Sequence, residues 1–147
     1  SLQSREESDM LLGARTAEPI LNKFIDEQLK KYNLKHNKLA LIGFSQGTMM
    51  SLFISMRRKA QIAGVIGFSG QLVGKEELEN EIISRPPAML INGDQDELIP
   101  SQEQQIAIEK LREVGVDVQG HIIPNLTHSI DTEGIRIADE FLKKIFS

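Results

Sequence analysis

Short apolar runs alternate with longer segments of helical periodicity along almost the whole chain, and this alternation limits the available folds more sharply than any motif. Residues 17–32 carry Ile20, Leu21, Phe24, Ile25 and Leu29 at the spacing of a helix face. Thr16, or Glu18 with Pro19, marks the expected start, since proline is tolerated in a first turn. Leu39, Ala40, Leu41 and Ile42 then form a continuous apolar run, as in a strand covered on both faces. Residues 48–58 read as a helix with Met49, Met50, Leu52, Phe53 and Met56 inward. Arg57, Arg58 and Lys59 suit the negative end of its dipole. Residues 62–68 make a second buried strand, and residues 75–83 a short helix stopped by Arg85-Pro86-Pro87. Residues 88–91 are a third strand. Ser101 is expected to cap a helix running to about Val114, with Gly115 as its stop. Residues 116–123 are a fourth strand and residues 130–146 a final amphipathic helix. Strands and helices alternating at these lengths imply right-handed β-α-β units. The expected fold is α/β: a parallel sheet of about four strands with flanking helices, in a single domain over residues 1–147.

Composition closes off several functions. With 40% apolar and 26% charged residues, the chain can bury a core, which a disordered chain could not. A net charge of −4 provides no basic field for nucleic acid or an anionic membrane surface. No cysteine is present, which removes thiolate catalysis and cysteine zinc sites and fits a reducing, cytoplasmic setting. The apolar runs fall far short of the ~20 residues that span a bilayer, so no integral membrane segment is expected. The first nine residues are polar and lack both a signal-peptide core and an initiating Met, which reads as a processed, cloned or truncated end.

Gly43-Phe44-Ser45-Gln46-Gly47 has the form G-x-S-x-G and falls between the first apolar run and the helix beginning near Thr48. A nucleophile elbow lies at such a strand-to-helix turn. A serine there occupies a strained backbone, so side chains two residues to either side are expected to collide. The helix amino end brings N–H groups toward developing negative charge, with the Gln46 N–H as the oxyanion donor. A serine nucleophile needs a base, and the base an orienting acid. His36 lies in a polar turn, where a solvated role suffices, and His121 lies within the fourth strand, where an outward position suffices. His128 follows the fourth strand, in a loop on the same side of the sheet as Ser45, and is the expected base. Asp94, Asp96 and Glu97 all lie in the loop after the third strand, and spacing alone does not separate Asp94 from Asp96 as the acid. Nucleophile, acid and base then fall in three loops on one side of the sheet, in hydrolase order.

These segments together resemble the α/β-hydrolases of the phospholipase/carboxylesterase group, which includes acyl-protein thioesterases. Gly43-Phe44-Ser45-Gln46-Gly47 is similar to that family's elbow, Phe68-Ser69-Gly70 to its S-G turn, and His128-Ser129 to its H-S pair. The segment from Gly93 to Pro100 resembles its G-D-x-D-x-[LV]-[VI]-P motif, and by that match Asp96 is the acid. The resemblance implies a catalytic triad of Ser45, Asp96 and His128 that hydrolyses small-molecule or lipid carboxylic esters or thioesters through an acyl-serine, with no metal or organic cofactor. Two departures stand out. Asn92 occupies a position where the family usually has His. Nothing matches the family's amino-terminal strands or the H-G-x-G-type loop that donates the second oxyanion N–H, so the chain reads as the carboxyl-terminal two-thirds of the fold.

That shortfall has two expected consequences. Loss of one oxyanion donor costs a serine hydrolase on the order of 100- to 1,000-fold in turnover. The strand of Leu39, Ala40, Leu41 and Ile42, central in an intact sheet, becomes an apolar edge that a second copy or an amino-terminal fragment would cover. The competing reading is therefore a catalytically impaired remnant or fragment, self-associating or completed by a separate chain.

Overall fold

The computed structural model describes residues 1–147. In chain order its elements are α1 (Leu2–Lys31), a 3₁₀ turn (His36–Lys38), β1 (Ala40–Phe44), α2 (Gln46–Arg57), β2 (Gly64–Phe68) and α3 (Lys75–Glu81). They continue with β3 (Ala88–Gly93), α4 (Gln102–Glu113), β4 (Val118–Ile123) and α5 (Thr132–Ile145). The strands form one parallel sheet in the order β1-β2-β3-β4, the α/β architecture expected.

Sequential order and right-handed crossovers together put the three crossover helices on one face of the sheet. Strand alternation shows the same division. Val65, Ala88, Leu90 and Val118 point into a core shared with Leu52 and Met56 of α2, Leu78 of α3 and Leu111 of α4. Their neighbours Ile66, Phe68, Met89 and Ile91 point the other way, onto Ile137 and Ala138 of α5. A third cluster joins α1 to α2 through Ala14, Ile25, Leu29, Phe53 and Ile54.

The largest departure from the sequence reading is α1, which runs 30 residues and carries Pro19 inside it rather than at its start. An internal proline costs a helix roughly 3 kcal/mol, so contacts on both sides must outweigh it. Before Pro19, Ala14 is buried, Arg15 Nη2 donates to Glu81 at 2.8 Å and Gln71 Nε2 donates to Met10 Sδ at 3.2 Å. After it, Ile25 and Leu29 are buried, and Arg58 donates to Asn22 Oδ1 at 2.7 Å and Asp26 Oδ1 at 2.8 Å. These anchors come from residues far along the chain, beyond the reach of a local start signal. Ile20 and Phe24, expected inward, are 69% and 57% exposed.

Smaller corrections have local causes. α2 begins at Gln46 rather than Thr48, directly behind the serine. Ser101 takes a helical conformation and its side chain makes no capping bond, whereas Asp131 caps α5 by accepting from the Gly134 N–H at 2.8 Å. Gly115, at φ +90, ends the segment after α4 as expected. Arg57 and Arg58 do more than sit near a helix dipole. Arg57 lies over the Phe53 ring and donates to Glu81, while Arg58 is buried between α1 and the 3₁₀ turn.

Candidate active site

The site is assembled at the carboxyl ends of β1, β3 and β4. Ser45 stands between β1 and α2 with φ +54 and ψ −113, a conformation that L-residues rarely adopt. Three hydrogen bonds hold it there. Its N–H donates to Phe68 O at 2.9 Å, and its carbonyl accepts from the N–H groups of Thr48 at 3.0 Å and Met49 at 3.2 Å. Thr48 Oγ1 donates to the same Phe68 carbonyl at 2.6 Å, tying the start of α2 to the end of β2.

The two glycines of the elbow prove unequal. A Cβ on Gly43 would lie 2.3 Å from the main chain of Gly47, so only glycine fits. A Cβ on Gly47 would meet nothing within 4 Å, which corrects the expectation of symmetric crowding. The collision is with the backbone of Gly47 and makes no demand on its side chain. Gln46 is the first residue of α2, so its N–H has no carbonyl four residues back inside the helix.

The structure brings Ser45, Asp96 and His128 together. His128 Nε2 lies 3.0 Å from Ser45 Oγ, and His128 Nδ1 lies 2.7 Å from Asp96 Oδ2. The Asp96 side chain has no exposed surface, while that of His128 retains 17%. Burial alone would raise the Asp96 carboxyl. The Ile99 N–H, the His128 imidazole and the Leu98 N–H outweigh it and hold the carboxyl below its ordinary value. An ionised Asp96 can only accept, so the Nδ1 of neutral His128 carries the proton and Nε2 accepts from the Ser45 hydroxyl. Asp96 Oδ1 is engaged by the Leu98 and Ile99 N–H groups at 2.9 and 2.8 Å, which fixes the carboxylate plane.

The remaining candidates separate cleanly. Asp94 makes no hydrogen bond with His128, and its Oδ1 instead accepts the Asn125 N–H at 2.7 Å. His121 faces outward on β4. His36 is partly buried rather than freely solvated, with Nδ1 3.1 Å from Arg58 Nη2. Met49, expected inward on its helix, packs on the α1–α2 cluster. Asn92 is buried on β3 and accepts from Gln104 Nε2 at 3.2 Å. One neighbour of the site escaped the sequence reading. The Phe44 ring lies 4.8 Å from the His128 ring, tilted by 40°. Its position directly before the serine was the available signal. No group of three or more His, Asp or Glu side chains converges in a way that could hold a metal ion, and no helix is long and apolar enough to cross a membrane.

Comparison with known proteins adds to this geometry. The sequence profile of the phospholipase/carboxylesterase family matches residues 4–146. The chain is 32% identical over 139 residues to the acyl-protein thioesterase 1 of Aspergillus fumigatus, covering 90% of this chain and 57% of that protein. The crystal structure of esterase PE8 superimposes with a TM-score of 0.92 at 37% identity, covering 95% of this chain and 65% of that one. Arabidopsis thaliana SOBER1 shares the fold, with a TM-score of 0.81 at 20% identity over 96% of this chain and 66% of that one. The chain thus spans less than two-thirds of the length of the thioesterase and the esterase. Within that span the family profile runs almost from end to end, over the elbow, the acid loop and the base loop alike, and the protein belongs to the phospholipase/carboxylesterase family of α/β-hydrolases.

Proposed function

We propose that the protein is a serine hydrolase acting on carboxylic esters or thioesters. Ser45 is the nucleophile, His128 the general base and then the general acid, and Asp96 the residue that orients the imidazole. The observation that carries this reading is the unbroken chain from Ser45 Oγ through His128 to Asp96, at 3.0 and 2.7 Å. Ser45 Oγ attacks the acyl carbonyl as its proton passes to His128 Nε2, and the Gln46 N–H stabilises the oxyanion. The alcohol or thiol leaves with that proton, giving the acyl-serine. Water deprotonated by His128 then releases the acid. A cytoplasmic location belongs to the same reading. The test is labelling by a fluorophosphonate probe: wild type reacts and Ser45→Ala does not. Absence of labelling in a folded sample would sink the claim that this chain is active alone.

A second reading rests on β1. It is an edge strand whose Ile42 and Phe44 are 54% and 39% exposed, and the chain offers one assigned oxyanion donor. Under this reading the chain is catalytically impaired until its β1 edge is covered by a second copy or by a separate amino-terminal fragment. Strand pairing would satisfy the open backbone groups and bury the apolar side chains together. Sedimentation as a soluble monomer at micromolar concentration counts against both occupants, and mass spectrometry of the purified material distinguishes them.

A further inference from the structure

We infer that Asp94 is a positioning residue for His128, acting through the turn at residues 124–127; the inference rests on the proposed role of His128 as base. Two carboxylates flank Gln95, and the structure gives them different partners. Asp96 reaches the imidazole directly. Asp94 begins a separate lacing between the acid loop and the base loop. Its N–H donates to Ile123 O at 3.0 Å, continuing the β3–β4 ladder past the end of β3, and its Oδ1 accepts the Asn125 N–H at 2.7 Å. The Gln95 N–H completes the lacing with a bond to Leu126 O at 2.9 Å.

Three features show that this turn needs an outside support. Asn125 has φ +62, so its N–H is carried by a left-handed residue and lies outside the ordinary strand ladder. Pro124, just before it, has no N–H to offer. Gly93 allows Leu126 O to approach so closely that a Cβ there would lie 2.0 Å from it, so the two loops are in main-chain contact. Asp94 supplies the side-chain bond that fixes the turn, three residues before His128. A bond from an N–H to a carboxylate is among the stronger kinds. Because Asp94 hydrogen-bonds to neither Ser45 nor His128, its influence on catalysis passes through backbone placement. A displacement of about 1 Å in a catalytic group can cost on the order of 100-fold in rate.

Asp94 is exposed, so its substitution leaves the core intact. Asp94→Asn keeps an acceptor at Oδ1 and removes the charge, whereas Asp94→Ala removes both. The protein has three histidines, so His36 and His121 serve as internal references in an imidazole NMR spectrum that does not depend on activity. The expected result is that Asp94→Ala shifts or broadens the His128 ring resonances only, while Asp94→Asn leaves them near wild type. In parallel, Asp94→Ala should slow fluorophosphonate labelling of Ser45 about 10- to 100-fold, with Asp94→Asn within about threefold of wild type. An unchanged His128 signal in Asp94→Ala, or an Asn variant as impaired as the Ala variant, overturns the inference. If wild type is not labelled at all, the claim that this chain is active alone fails, and the NMR comparison still decides whether Asp94 positions the imidazole.

Discussion

The two edges of the sheet are built differently. β4 has the composition of an edge: between its buried ends, Gln119, Gly120, His121 and Ile122 are exposed, and two of those four side chains are polar. β1 reads Ala-Leu-Ile-Gly-Phe, with no polar side chain, and leaves Ile42 and Phe44 open to solvent. Natural edge strands are normally blunted by charge, twist or a covering element, and β4 follows that rule where β1 does not. Each edge nevertheless carries a member of the hydrogen-bonded chain at its carboxyl end, Ser45 after β1 and His128 after β4, with Asp96 between them after β3. The difference teaches that the site spans a strand with interior composition and a strand suited to solvent.

The largest effect is expected at the β1 end. Ser45→Ala should abolish fluorophosphonate labelling and lower any ester turnover by roughly four to six orders of magnitude, whereas His121→Gln on β4 should leave turnover unchanged. Equal losses in both variants would break the comparison.

Next comes the fit of the elbow. Gly43→Ala forces a Cβ against main chain and should cost about 2–3 kcal/mol or more in denaturant unfolding. Gly47→Ala meets open space, so it should leave stability equal or raise it by up to about 1 kcal/mol. Two equally destabilised proteins would show that the crowding is symmetric after all.

The edge itself is tested by charge. Ile42→Lys should weaken any self-association or fragment binding at least tenfold, about 1.4 kcal/mol, in sedimentation. Gln119→Lys at the other edge should leave it unchanged. Matching results at both edges would remove the asymmetry.

A finer test concerns acid. Asp96 is held below its ordinary carboxyl value, so its contribution to stability is fully present above about pH 4. That contribution disappears as pH falls through the still lower folded-state value. Wild type should therefore be more stable than Asp96→Asn at neutral pH, and the gap should close in strong acid. Thermal unfolding across pH measures it, and a gap that widens in acid would contradict the assignment. The smallest effect belongs to the β4 surface, where His121→Gln should change stability by less than about 0.5 kcal/mol.

Much of the site was legible because its signals are local. The strand-to-helix turn around Ser45 requires glycine at 43, and parallel topology places the loops after successive strands on one side of the sheet. What sequence spacing left open was the choice between Asp94 and Asp96, three and one residues before Glu97 in one polar loop. Resemblance pointed to Asp96, and the three-dimensional geometry gives each carboxylate its own partner.

The sequence alone determined the order of strands and helices, the parallel α/β class and the three loops that meet, because hydrophobic periodicity and turn chemistry act over a few residues. Tertiary structure decided what depends on distant partners. Pro19 lies inside α1 because Arg58, Glu81 and Gln71 hold the helix from other elements. Asp94 binds the Asn125 N–H because two loops 31 residues apart in sequence make main-chain contact. Such contacts join residues far apart in sequence, and local pattern carries no trace of them.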